Sequence, residues 1–405
     1  MTMLATPTVS SLGIEAHAIE FRLTHGREGF AAIKEEWDLI AAQLAHVYVY
    51  QRYEWYQSYL EALETDPERM NFIVAYCDGE PRAIYPLRLQ STTIFGLRVR
   101  LLTLPQHPHL SLGDFIHGRA DEDRGLFACL IGFLRSQPDL RWDLLCVPNA
   151  LDGSAAEFAV QELPVARRYS REQKGCHYVR CEGAYDELRK KFSRKTRANL
   201  NTHRNRLARE GTSEFVFARD GMELDAALEE FISLEGSGWK GSSGEASAIK
   251  LDPTLVRFYQ ALTRHFGARG DCEIKQLRLN GQIIASGFHL RSGGKDYTVK
   301  IGYDETKHTL SPGSLLLDAG LRRLCEDEDI EVADWMSDSE WYLSWGAETA
   351  TIWRHLVSNL TPRGVAILAI HKLRAFLRPA AARLRDSWNA ARAAMRRSTA
   401  HTERA

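Results

Sequence analysis

A chain of 405 residues is longer than one ordinary hydrophobic core organises, so two domains are the expectation. Its composition, 44% hydrophobic and 26% charged, is that of a soluble globular protein, and 52 Lys and Arg against 53 Asp and Glu leave no overall charge to attract DNA or RNA. The seven cysteines form no C-x-x-C pair, which argues against a disulfide framework or a zinc site and for reduced thiols in a cytoplasmic protein. No apolar stretch reaches bilayer-spanning length, and the start of the chain lacks a basic segment followed by an apolar core, so no secretion signal is expected.

Residues 1–17 are small and polar, and a disordered N-terminus is expected there. Ile19 to Leu23 alternates as a strand. Gly29 to Ala45 has helical spacing through Phe30, Ile33, Trp37, Ile40 and Leu44, and Tyr48 to Leu63 reads as a second helix, aromatic enough to pack beneath a sheet. Phe72 to Cys77 and Pro81 to Gln90 flank Asp78-Gly79, a hairpin signal, and Leu97 to Leu104 is another strand. The loop Pro105 to Gly118 holds His107, His109, Asp114 and His117, but its spacing fits no zinc pattern, so no metal is expected. A helix over Gly125 to Ser136 and a strand over Trp142 to Val147 complete a first domain expected over residues 18–182.

A second domain is expected over residues 183–360. It opens with one helix, Ala184 to Gly211, whose cations run from Arg189 to Arg209 against three acids. Such a face is either solvated or attracts phosphate, anionic glycan or RNA. A strand at Phe215 to Ala218 and a helix at Met222 to Leu234 follow. The glycine- and serine-rich stretch Gly236 to Ala248 carries Trp239 and Lys240, which suit a lid over a substrate or a linker anchored on the surface. After a helix at Asp252 to Phe266, Cys272 to Leu279 and Gln282 to Leu290 form a hairpin through Asn280-Gly281. His289 in that hairpin reads as a hydrogen-bonded core residue and, less directly, as a base.

Tyr297, Val299 and Ile301 then alternate as a strand, Asp304 to Leu310 is a loop, and Ser311-Pro312-Gly313-Ser314 opens a helix with an apolar face. A helix start without bulky side chains offers its backbone N–H groups to an anion such as a pyrophosphate. Ile330 to Met336 is a strand, Ser337 to Glu340 a turn, and a helix is expected from about Trp341. From Arg363 to Arg397 nine Lys or Arg face one acid, on apolar residues at helical spacing. A basic amphipathic tail over 363–399 fits the surface of an anionic inner membrane or a docked helix.

The run IASGFHLRSGGKDYTVKIGYDETKHTLSPGSLLL, with Ile284-Ala285, Lys300, Tyr303-Asp304-Glu305 and Ser311-Pro312-Gly313, resembles the core of the CelD/BcsL-type acetyltransferases of the GNAT superfamily, relatives of the Fem-type aminoacyltransferases. Arg194 to Gly211 and Gly238-Trp239-Lys240-Gly241 extend the resemblance over most of residues 20–360. The usual GNAT phosphate signature, Gln or Arg followed by x-x-G-x-G/A, is absent, and Lys307 to Ser314 stands in its place.

The resemblance implies an α/β (α+β) fold of two GNAT-like domains in tandem sharing a cleft. It implies acetyl-coenzyme A, or another acyl-coenzyme A, as co-substrate. The acceptor would be an amine or hydroxyl of a sugar, polysaccharide or envelope precursor. Val299 and Ile301 would lie along the pantetheine, and Lys307, Ser311, Gly313 and Ser314 at the pyrophosphate. Trp239, Lys240, Lys300, Asp304 and Glu305 would orient the acceptor. Tyr342 would protonate the leaving thiolate, and a carboxylate among Asp334, Asp338 and Glu340 would take the acceptor's proton. Two alternatives stay open: a Fem-type enzyme using aminoacyl-tRNA, with the basic helix on RNA, and an inactive GNAT-like scaffold.

Overall fold

The computed structural model describes residues 18–120, 122–238 and 248–378. The N-terminal segment 1–17, Trp239, Lys240 and the tail beyond 378, with Pro379, lie outside the described residues.

The first half runs β1 (Ile19–His25), α1 (Gly26–Ala31), α2 (Lys34–Ala41), α3 (Tyr53–Ala62), β2 (Met70–Cys77), β3 (Glu80–Ile94), β4 (Leu97–Thr103), the two-residue β5 (Ile116–His117), α4 (Leu126–Ser136), β6 (Leu144–Leu151), α5 (Ala155–Gln161) and β7 (Arg168–Arg180). The second half begins with α6 (Tyr185–Lys191) and α7 (Arg194–Glu210). It then repeats the scheme with β8 (Ser213–Ala218), α8 (Gly221–Glu235), α9 (Pro253–Gly267), β9 (Cys272–Leu279), β10 (Gln282–Ser292), β11 (Lys295–Tyr303), α10 (Pro312–Cys325), β12 (Val332–Asp334) and β13 (Glu348–Ser358). Residues 362–378 are helical.

All the strands join one sheet in the order β1-β2-β3-β4-β6-β13-β7-β12-β11-β10-β9-β8, with β5 beside β3. The order is close to a palindrome. Each half is an antiparallel meander ending in a parallel pair, β4 with β6 and β11 with β12, and a helix crosses between the members of each pair. At the centre the halves exchange strands: β13 pairs with β6 of the first half, and β7 pairs with β12 of the second. β7 and β13 also pair with each other, from Glu348↔Tyr178 to Val357↔Arg168.

Several expected helices are broken by a residue whose backbone leaves the helical conformation. The helix expected over Gly29 to Ala45 divides at Ile33, which is buried with φ −112° and ψ 18°. The one expected from Tyr48 starts as a 3-10 turn and restarts after Arg52, which is extended. Ala184 to Gly211 divides at Phe192, whose extended backbone drives its ring against Trp345, 5.1 Å between centroids. Ser193 then caps α7 by accepting the Thr196 N–H. Apolar periodicity survives each break because both pieces bury the same side. The helix expected from Trp341 is a 3-10 turn, Glu340–Trp345, that ends at Gly346 with φ 72° so that the chain can enter β13. Strand β7 escapes a periodicity reading because charged residues fill much of it, and β13 because it is exposed at its start and continuously buried at its end.

Two cores sandwich the second half of the sheet. On one face α8 and α9 bury Phe231, Phe258 and Tyr259 against Phe288 and Tyr297, and Trp55 of α3 meets Phe258 at 6.0 Å. On the other, α6, α7 and α10 cover Leu277, Ala285 and Trp335. In the C-terminal helix Ile367 and Leu368 are buried with Val99, Leu101, Leu144 and Leu356, so its start is docked on the body. His107 and His109 stay side by side, with the His109 N–H on His107 Nδ1 at 3.2 Å, while His109 also contacts the Tyr259 hydroxyl at 3.0 Å, His117 contacts Asp123 at 3.0 Å, and Asp114 accepts from Gln51 and Ala156.

A chain ending at residue 346 lacks β13 and leaves edges of β6 and β7, at the middle of the sheet, unpaired. It is expected to lose cooperative unfolding of both halves, read by circular dichroism during urea titration. An intact transition in the truncated chain would contradict the strand exchange.

Candidate active site

β11 and β12 run parallel for three residue pairs, Lys295↔Val332 to Tyr297↔Asp334, and the pairing ends there. Beyond Tyr297, β11 keeps its partner β10 while its ladder to β12 has ended, and a cavity of about 310 Å³ opens between the sheet and α10. On β11 the register to β10 shifts between Phe288↔Lys300 and His289↔Thr298, so Val299 is a bulge residue. A bulge inverts the side-chain alternation. Before it, Thr298 faces the cavity and Val299 packs on the α8–α9 core. After it, Lys300 lies 3.8 Å from Glu235 of α8, and Ile301 and Tyr303 line the cavity.

The mouth of the cavity is the start of α10. Ser311 precedes the helix but in a left-handed conformation, φ 50° and ψ 53°, so it makes no side-chain cap; its hydroxyl donates to Ser314 Oγ at 2.9 Å. Pro312 has no N–H, and Ser314 and Leu315 both donate to the Ser311 carbonyl, which leaves the Gly313 N–H unused by the helix. A β-carbon on Gly313 would meet only Tyr303, at 4.0 Å, so this backbone is open to an approaching group. Arg206 of α7 donates to the Thr309 carbonyl at 3.3 Å and brings a guanidinium beside the turn. The neighbouring Arg204 is spent inside the fold, on the buried Asp318 that also binds the Tyr185 hydroxyl.

Opposite α10, Tyr342 closes the cavity. Its ring stacks on Trp335 at 4.2 Å and 13°, and burial pushes its phenol up to about 12. The carboxylates expected to take the acceptor's proton lie elsewhere. Asp334 is buried on β12 between two cavity residues, Ala333 and Trp335, and so faces the other way; it accepts the Met336 N–H. Burial raises its carboxyl, with Lys295 opposing. Asp338 is half exposed and 3.1 Å from Lys174, and Glu340 is exposed.

Of the residues expected from sequence, Tyr342, Ile301, Ser311, Gly313 and Ser314 line this cavity. Val299, Lys300, Lys307, Asp304, Glu305, Asp334, Asp338 and Glu340 do not. Asp304 caps the turn after β11 by accepting from Thr306, and the backbone of 238 brings Gly238 close to Glu305. Among the described residues no group of three or more His, Cys, Asp or Glu is placed to hold a metal ion.

The inner wall carries a polar group that periodicity alone places in the core. Asp296 Oδ2 accepts from Lys275 Nζ at 2.9 Å and contacts His289 Nδ1 at 2.8 Å. Behind them, Arg291 reaches Asp327 at 2.6 Å and Glu273 at 3.5 Å, and Arg323 also reaches Glu273 at 3.5 Å. Lys275, His289, Asp296 and Thr298 all line the cavity. Burial works to raise the Asp296 carboxyl; Lys275 and then His289 overcome it and hold the carboxyl far below its usual range. Burial lowers His289, helped by Lys275 and opposed by Asp296. The sequence signal was present, as charged residues at inward positions of three adjacent strands, but only the register shows that they meet.

Residues 194–343 match the family model of the acetyltransferase (GNAT) domain. No curated protein matches the chain. Among solved structures it is similar to FemX, with a TM-score of 0.55 and 11% identity over 80% of this chain and 96% of that one. It is similar also to the C-terminal domain (DUF2156) of an Agrobacterium fabrum protein assigned as a lysylphosphatidylglycerol synthetase, with a TM-score of 0.50 and 10% identity over 85% and 97%. A tandem GNAT protein from the clavulanic acid biosynthesis pathway is a looser likeness, with a TM-score of 0.42 and 13% identity over 85% and 99%. The protein is therefore an acyltransferase that carries a GNAT domain in its second half, and domains of this family use acyl-coenzyme A as co-substrate.

Replacing Asp296 by Asn leaves Lys275 buried without its nearest counter-charge, and breaking a buried pair on one side costs about 3–5 kcal/mol. The Asp296 carboxyl is lowered in the fold, so its stabilisation is present above the unfolded carboxylate value of about 4 and is lost as pH falls through the folded value. Urea midpoints at pH 7 are expected to separate wild type from Asp296→Asn, and to converge in acid. Equal midpoints at pH 7 would contradict this.

Proposed function

We propose that the protein transfers an acyl group from acyl-coenzyme A to an amine or hydroxyl of a sugar, polysaccharide or envelope precursor, as the CelD/BcsL-type resemblance implies. The observation that carries the donor half is the cavity where β11 and β12 part, with the open start of α10 at its mouth and Tyr342 on its wall. The residues fit the donor. The Gly313 N–H, the Ser311 and Ser314 hydroxyls, the α10 dipole and Arg206 suit a pyrophosphate. The extended stretch of β11 beyond the last pair with β12 borders the cavity and suits the amide-bearing pantetheine, which would lie along it. The acyl carbonyl is attacked by the acceptor, the C–S bond breaks, and the Tyr342 hydroxyl gives its proton to the departing sulfur. A phenol raised to about 12 holds that proton at neutral pH.

Gly313→Glu puts negative charge at the mouth without displacing the fold, since only Tyr303 is within 4.0 Å. It is expected to weaken acetyl-coenzyme A binding at least tenfold by calorimetry. Unchanged affinity would remove the pyrophosphate from this turn, and binding of aminoacyl-tRNA in place of acetyl-coenzyme A would move the reading to a Fem-type transfer. Tyr342→Phe keeps the ring on Trp335. It is expected to lower turnover by about 100- to 10,000-fold with cofactor affinity unchanged. Wild-type turnover in that variant would leave water as the proton source.

The C-terminal helix supports a second part of this reading, a peripheral contact with an anionic membrane. No helix among the described residues is long and apolar enough to cross one. Past the docked Ile367 and Leu368, the helix exposes Leu373, Phe376 (81% exposed) and Leu377 beside Phe95 and Leu97 of the β3–β4 tip. Arg374 covers the Phe95 ring at 4.5 Å. Apolar groups ringed by cations fit an anionic interface, where each Lys or Arg contributes about 1 kcal/mol, screened by salt. Phe376→Glu is expected to reduce sedimentation with phosphatidylglycerol vesicles and leave the melting temperature unchanged. Equal sedimentation would remove the membrane from this surface.

A further inference from the structure

The carboxylates expected to act as the base leave the cavity without one, since Asp334 faces away and Asp338 and Glu340 lie on the surface. The cavity wall holds an imidazole in their place. We propose that His289 is the general base of the acyl transfer and that Asp296 and Lys275 are its positioning residues. The proposal rests on the acyl-transfer reading.

The geometry decides the tautomer. An ionised carboxylate only accepts hydrogen bonds, so the 2.8 Å contact between Asp296 Oδ2 and His289 Nδ1 requires the proton on Nδ1. Lys275 binds the same carboxylate oxygen at 2.9 Å and keeps it ionised. The lone pair of the neutral ring is then on Nε2. That nitrogen makes no hydrogen bond among the described residues, although His289 is only 7% exposed and buried polar atoms are ordinarily paired.

Gly287, two residues away on the same strand face, explains why Nε2 is accessible. A β-carbon there would stand 2.8 Å from it. The missing side chain leaves room for a reacting group directly in front of the lone pair, in the cavity that Tyr342 also lines.

The charged groups around the ring come from every neighbouring element. Lys275 and Glu273 belong to β9, Asp296 to β11 and Arg291 to β10 itself; α10 contributes Arg323, which is on Glu273, and otherwise leucines and Gly320. Burial and Lys275 together hold the ring's proton affinity below the ordinary histidine value, against Asp296 and Glu273, so the base form is present at neutral pH. In the step, the acceptor's X–H proton passes to Nε2 as X bonds to the acyl carbon and the C–S bond breaks. The thiolate takes the Tyr342 proton, and solvent restores both groups.

Two measurements test this. Nitrogen-15 NMR of the free protein needs no acceptor. It is expected to show His289 neutral and protonated on Nδ1 at pH 7, and protonation on Nε2 would overturn the proposal. Thiol release from acetyl-coenzyme A, with glucosamine as acceptor, is then followed from pH 5 to 9. His289→Gln is expected to lower turnover by about 100- to 10,000-fold and to abolish the acid limb, whose midpoint lies below 6.5, while acetyl-coenzyme A affinity stays constant. Asp296→Asn is expected to move that limb to lower pH, an effect that a purely structural carboxylate would not produce. Wild-type turnover with its acid limb retained in His289→Gln would overturn the base. A wild-type protein that binds no acetyl-coenzyme A would overturn the acyl-transfer reading itself, whatever the tautomer.

Discussion

Two parallel strands cannot share a ladder and also admit a ligand between them. β11 and β12 keep three residue pairs and then part, and the cleft that opens there carries the polar wall of Lys275, His289, Asp296 and Thr298. The cavity and the open end of α10 stand beside the point where the two strands part. The bulge at Val299 belongs to the same constraint. It reverses the phase of β11 and directs Ile301 and Tyr303 into the space that regular alternation would have given to Lys300.

The parting is held open from both sides. β12 has only three residues, and its other edge is filled by β7 of the first half. β13 returns across the centre to pair with β6 and β7, which ties the second half to the first. The site therefore depends on strands that are distant in sequence. Trp345 and Phe192, packed together behind the 3-10 turn that carries Tyr342, link the start of α7 to the wall of the cavity.

Buried charge is the second organising feature. Glu273 and Asp296 are almost fully enclosed, and four cations, Lys275, Arg291, Arg323 and the more distant Arg219, converge on them from β8's side of the sheet and from α10. Such a network contributes little net stability compared with an apolar core, because desolvation offsets most of the attraction. Its effect is on orientation and protonation. It fixes the His289 ring and keeps a carboxylate ionised where burial alone would neutralise it.

Local pattern was enough for most elements of the sheet. Alternation marked β1 and β11, turn residues marked the hairpins β2–β3 and β9–β10, and the Asn280-Gly281 turn, with φ 51° and 79°, is the conformation those residues favour. The open start of α10 was also legible, because Pro312, Gly313 and Ser314 are recognisable without knowing what surrounds them. Tertiary structure decided the rest. β7 and β13 are strands because neighbours from the other half complete their ladders, which no local propensity records. Asp334 is turned away from the cavity and His289 into it by the pairing of β12 and by the register shift between β10 and β11. A single sequence shows that a histidine, an aspartate and a lysine occur on neighbouring strands; only the register, in which one residue's slip exchanges the two faces, determines that they share one cavity.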